Sequence, residues 1–181
     1  MKQFLSIIFM CICSTILYSQ VAVSPTELSL ADNKFVGSLW EPKGTVSYTK
    51  ENNKELYGLV ISLNTSDDFL DIYIGHKVSI EYIDGTRDIY VIKNSTKVLK
   101  IKKVGYNNIN VYNCNIFITP NYENLINKEI KRIVIQRENG NIWVIDTKEK
   151  RAKKLMTEFK NEMAVAKNKY QTKVKNIDYF N

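Results

Sequence analysis

The chain has 181 residues, with 26 Lys and Arg against 19 Asp and Glu, three cysteines, seven glycines and one histidine. That inventory leaves His76 as the sole histidine for any triad and little glycine for phosphate-cradling loops, and once Cys11 and Cys13 leave with residues 1–19, one His and one Cys are too few for a familiar zinc site. The positive charge is concentrated at one end: residues 20–146 hold 15 basic and 15 acidic side chains, whereas residues 147–181 hold 10 and 4.

Residues 1–19 read as a cleavable secretory signal. Lys2 is the only charge before Glu27, and the apolar run from Phe4 to Tyr18 is shorter than the ~20 residues a spanning helix needs. Leu17-Tyr18-Ser19 offers a small residue before the expected new terminus, Gln20. An uncleaved anchor is the alternative reading. Cys11 follows Met10 and Cys13 follows Ile12, which disfavours a lipoprotein site. Removal of the leader leaves residues 20–181 as one domain, long enough to bury a core. It also leaves Cys114 alone, so no internal disulfide forms. In the alternating run Tyr112, Cys114, Ile116, Ile118, that thiol reads as a small buried hydrophobe.

Ser24-Pro25-Thr26-Glu27 has the form of a capping box with proline at the first helical position, predicting a short helix to about Asp32. Val46–Lys50 and Leu56–Leu63 read as strands across a polar stretch, and Phe69–Ile74 as a weaker one. Val78, Ile80 and Tyr82 alternate up to Asp84-Gly85. A two-residue turn there would pair Ile80 with Ile89 and Val78 with Val91, all on one face. Strands at Val98–Val104 and Ile109–Ile118 follow, then Thr119-Pro120 as the cap of a short helix carrying Tyr122, Leu125 and Ile126. A second hairpin turns at Asn139-Gly140, with an expected pairing of Ile135 with Val144. Val134, Trp143 and Ile145 would then fill the other face and make it a central hairpin. The two hairpins echo one another, as a degenerate duplication or as convergence would produce.

From Thr147 to about residue 176 the pattern is helical. Ala152, Met156, Phe159, Met163, Ala166, Tyr170 and Val174 step by fours and threes, Leu155 widens the stripe, and lysines coat the rest. Such a helix is ~42 Å long, slightly more than the roughly 36 Å width of the body it packs on. The expectation is that Ala152–Phe159 docks on the sheet and that Met163, Ala166, Tyr170 and Val174 overhang as a candidate interaction face.

The fold expected is α+β: a curved antiparallel sheet of about seven to nine strands packed by the C-terminal helix, with a small closed β-barrel as the alternative. The order of Asp-Gly hairpin, strands, short helix, Ile130-Lys-Arg-Ile133-Val-Ile135, Gly140 and Lys-rich helix resembles small exported proteins of unknown function from Gram-negative bacteria, over roughly residues 76–162. The resemblance implies a periplasmic or secreted location and brings no catalytic residues.

No constellation carries chemistry outright, so the expected catalytic, cofactor-binding and metal residues are none. His76 stands at a strand entrance, and Asp67, Asp68 and Asp71 lack the glycine and distal glutamate of the helix–loop–helix calcium motif. Nucleic acid is disfavoured by export and by Lys outnumbering base-reading Arg, and no transmembrane segment is expected in the mature chain. The chain therefore reads as a non-enzymatic binding or interaction module, its partner an unknown protein or a second copy met through the helix. The alternatives are a carboxylate-based enzyme acting on envelope glycans and a structural envelope component. Intact-mass measurement after expression in a Gram-negative host should give a chain beginning at Gln20; a mass retaining Met1 would make the segment an anchor instead.

Overall fold

The computed structural model describes residues 21–31, 41–65, 71–104, 107–119 and 121–179; the segment expected to be a leader, residues 1–19, lies outside them. Nine strands and two helices follow in order: β1 (Ala22–Val23), β2 (Leu28–Ser29), β3 (Lys43–Glu51), β4 (Lys54–Thr65), β5 (Lys77–Tyr82), β6 (Arg87–Val104), β7 (Asn107–Phe117), α1 (Tyr122–Asn127), β8 (Ile130–Gln136), β9 (Ile142–Asp146) and α2 (Glu149–Tyr179). The strands form one antiparallel sheet in the order β1-β3-β4-β7-β6-β5-β8-β9, with β2 also on β3. β6 joins its two halves. Residues 87–91 pair with β5 and residues from 92 onward pair with β7, with a bulge at Lys93 where the strand changes partner.

Alternation sets the faces. Val46 and Tyr48 on β3, Leu59, Ile61 and Leu63 on β4, and Cys114 and Ile116 on β7 are buried in a single core with Ile133, Ile135 and Ile145 from the far end of the sheet. One helix fills that core because the sheet curls round it. The curl also brings the two ends of the strand order together: the Thr147 hydroxyl, just past β9, donates to the Leu30 carbonyl just past β2 at 3.1 Å. No ladder closes across that gap among the described residues, so the sheet is open and the barrel alternative is set aside.

The start of the domain corrects the first expectation. Residues 21–31 are extended, with Ala22 opposite Tyr48 and Leu28 opposite Gly44. The Ser24 hydroxyl donates to the Thr26 carbonyl rather than capping a helix, and the Ser24 and Leu30 amides donate to Val46 and Pro42. Leu28 and Leu30 are both buried, which a strand achieves at spacing two. Gly44 makes room for them, since a β-carbon there would lie 2.9 Å from Leu30 Cδ2.

Both hairpins fold one residue out of the expected register. Ile80 pairs with Asp88 and Val78 with Tyr90; Ile135 pairs with Trp143 and Val134 with Val144. The loops are three residues long, Ile83-Asp84-Gly85 and Glu138-Asn139-Gly140, with Gly85, Asn139 and Gly140 at positive φ. In the first, the Asp84 carboxylate accepts from the Thr86 amide and hydroxyl, at 2.9 and 2.5 Å. That bonding fixes the longer loop. A one-residue slip inverts a strand, so Asp88 and Tyr90 turn inward while Ile89 and Val91 face out. The second hairpin is also not central: β9 ends the strand order. The β3–β4 connection is a two-residue turn, with Asn52 and Asn53 both at positive φ.

Three smaller readings change as well. Residues 71–74 form no strand, and 66–70 lie outside the described residues. The strand expected at Val98–Val104 is the continuation of β6. Helix α1 begins after Asn121 without a side-chain cap, because the Thr119 hydroxyl accepts from the Tyr57 amide at 2.8 Å instead. Pro120 lies outside the described residues.

α2 runs to Tyr179, ~46 Å by its rise per residue. Ala152, Leu155, Phe159, Met163, Ala166 and Tyr170 are all buried, against β1, β2, β3, β8 and α1. Phe159 is completely enclosed. Phe159→Ala should lower stability by about 3–5 kcal/mol, read from the denaturant midpoint; an unchanged midpoint would contradict the docking.

Candidate functional site

The helical face expected to overhang is consumed by the chain's own sheet. Met163, Ala166 and Tyr170 are buried in the core, and only Val174 is left partly exposed. The sheet curls far enough along α2 that no apolar turn of the stripe is free. The expected overhang is thereby corrected, and Tyr170 and Val174 come instead to a cleft.

The cleft lies where the tip of the β3–β4 hairpin meets the last turns of α2. On the sheet side, Tyr48 and Tyr57 are directly opposed and inward, and Lys50 and Glu55 are the next same-face pair. On the helix side, Lys167, Tyr170, Gln171, Val174 and Lys175 fall at spacings of three and four, on one face. Together Tyr48, Lys50, Glu55, Tyr170, Gln171, Val174 and Lys175 enclose about 460 Å³.

Its floor is aromatic. Tyr48 stands edge-on to Tyr57 at 5.0 Å between ring centres and to Tyr170 at 5.1 Å, and Tyr57 continues to Tyr122 of α1 at 4.8 Å. Such edge-on contacts contribute about 0.5–1.5 kcal/mol each beyond burial, so the floor is rigid. The wall is ionic: Lys167 Nζ lies 2.6 Å from Glu55 Oε1. That bond lowers the Glu55 pKa against the opposing effect of burial, helped by the Tyr48 hydroxyl, which also bonds this carboxylate. Burial first, and then the negative Glu55, push Tyr48 up to about 12, keeping it a neutral donor. The exposed Lys50 and Lys175 stand at the rim.

The other candidate groups are occupied elsewhere. The buried Cys114 thiol is pushed up to about 12 by desolvation, the behaviour of a core residue. His76 Nδ1 accepts from the Tyr73 amide at 3.3 Å, with its ring edge-on to Tyr73. Asp71 is held by Arg137 at 2.6 Å, while Asp67 and Asp68 lie outside the described residues. Carboxylates gather at a second, smaller cleft near β2, where Arg151 grips Glu158 at 2.6 Å and also donates to the Ser29 carbonyl. That cluster pins the first turns of α2 to β2.

A third constellation is absent from the sequence reading. Asp88 is buried and accepts from the Tyr82 hydroxyl at 2.8 Å, the Tyr90 hydroxyl at 3.3 Å and Asn124 Nδ2 at 2.9 Å. It ties α1 to the first hairpin. The signal for it is the spacing of Tyr82, Asp88 and Tyr90, which share a face only in the three-residue-loop register.

Comparison of the chain with protein-family models, curated proteins and solved structures found no match.

The Glu55–Lys167 pair has a pH signature. A lowered carboxylate pKa contributes stability above its ordinary value of 4.5, and that contribution is lost as pH falls through the lowered value. Urea midpoints of the native protein and of Glu55→Gln should therefore differ above about pH 4.5 and converge in stronger acid. Superimposed curves at every pH would mean the pair contributes nothing.

Proposed function

We propose that this protein is a non-enzymatic binding module of the bacterial envelope, periplasmic or cell-surface, that takes its ligand in the tyrosine cleft between the β3–β4 hairpin and the end of α2. The observation that carries the reading is the make-up of that cleft: an aromatic floor, a carboxylate–ammonium wall and two exposed lysines at the mouth. Concave sites with a mostly apolar lining and a few oriented polar groups are where small ligands or chain ends bind. The apolar floor suits an apolar body, and Lys50 and Lys175 suit a negative group held at the rim. The expected leader over residues 1–19 and the resemblance of residues 76–162 to exported Gram-negative proteins support an envelope location. No described helix is long and apolar enough to cross a membrane.

Decanoate, an apolar chain ending in a carboxylate, is a suitable probe. Titration followed by amide NMR should shift Tyr48, Tyr170, Gln171 and Val174. Replacing Lys50 and Lys175 together by Ala should weaken binding by about tenfold, the effect of losing two partly screened charge contacts. Shifts confined to other surfaces, or an affinity indifferent to both lysines, would move the ligand site elsewhere.

A further inference from the structure

The register of the two hairpins has a consequence on the opposite side of the sheet. On the outer face of the β6-β5-β8-β9 half, cross-strand pairing arranges side chains in three rows. One row runs Ile89, Ser79, Val134, Val144. The row beside the Glu138–Gly140 loop has Val91 and Ile142 at its two flanks, with Lys77 and Gln136 between them. The third row is charged and alternates in sign, Arg87, Glu81, Arg132, Asp146, with Arg132 lying 3.5 Å from both Glu81 and Asp146 of its own chain. Ile89 is 51% exposed, Val91 41%, Ile142 58% and Val144 39%. The helix lies on the other face, and among the described residues nothing covers these four.

We propose that this face is a self-association surface whose occupant is a second copy of the chain, related by a twofold axis lying in the face and running along the strands between β5 and β8. Such an axis exchanges β6 with β9 and β5 with β8 while leaving each row opposite itself. Arg87 then meets Asp146 of the second copy, and Glu81 meets Arg132 of the second copy. Every member of the charged row faces an opposite charge. In the apolar rows Ile89 meets Val144 of the second copy and Val91 meets Ile142 of the second copy. The small Ser79 lies under Val134 of the second copy. The row of alternating signs is what selects a second copy over an unrelated apolar partner, because the face is complementary to itself under one operation and the interface is isologous. Face-to-face sheet packing of this kind is a standard arrangement, with the strands of the two sheets close to aligned.

Strand spacing and rise set the size of the contact. Four strands and three rows cover on the order of 300–400 Å² per copy, about half a standard interface, so the dimer is in rapid exchange with monomer and forms at roughly 10–500 μM.

The test is sedimentation equilibrium of the protein over that range, with four further samples, three variants and one mixture. Ile89→Lys should shift the dimerisation midpoint upward by at least tenfold. Arg87→Glu alone places Glu opposite Asp146, and Asp146→Arg alone places Arg opposite Arg87, so each variant by itself should be monomeric where the native protein is dimeric. An equimolar mixture of those two variants regains both ionic contacts and should dimerise within about threefold of the native midpoint. All three positions are exposed, and circular dichroism checks that each variant is folded. A native protein that stays monomeric to 1 mM, a dimer indifferent to Ile89→Lys, or a mixture no better associated than its components would each overturn the proposal.

Discussion

A nine-stranded sheet has more inner surface than one helix can cover flat, and that mismatch governs the molecule. The sheet answers it by curling until residues from both ends of the strand order share a core with α2. The bulge at Lys93 lets a single strand serve two partners across the bend, and the contacts of Thr147 and Arg151 with the β2 segment seal the seam on one side. Because the long helix is the main cover for the inner face among the described residues, its apolar stripe from Ala152 to Tyr170 is spent on the chain's own core. Any surface for other molecules lies where helix and sheet part, or on the sheet's outer side.

The cleft belongs to the first of these places. The paired asparagines at positive φ turn β3 into β4 so tightly that Lys50 and Glu55 sit opposite each other at the tip. The last turns of α2 then bring Lys167 to Glu55 and Tyr170 to Tyr48. The basic end of the chain thus has two duties. Its outward lysines keep the long helix solvated, and Lys167, with Lys175 beside the cleft, contributes directly to the site.

Polar groups in the core are held to the same standard. A buried carboxylate without donors would be costly, and Asp88 is surrounded by two phenols and an amide. Desolvation and this carboxylate together raise the Tyr82 pKa, so the phenol remains a donor. The cluster stabilises one register of the first hairpin over the register displaced by one residue. In that alternative Asp88 and Tyr90 would face solvent, and α1 would lose its anchor Asn124.

The sequence determined a good deal by itself: strand-rich alternation, an antiparallel α+β fold, the short helix at Tyr122, the long C-terminal helix, and the burial of Cys114 and Phe159. Each rests on a period of two or 3.6 sustained over many residues, and such patterns survive packing. It misplaced what short-range chemistry leaves degenerate. Asp-Gly and Asn-Gly are compatible with loops of two or three residues, and only Asp84 with Thr86, the inner partners of Asp88 and the shared core decided for three. Ser24-Pro25 can cap a helix or lie along a strand, and the free edge of β3 decided for the strand. The reach of the helix was likewise not written in its stripe. Met163, Ala166 and Tyr170 read the same whether they overhang or dock, and only the curl of the sheet brought a surface to meet them.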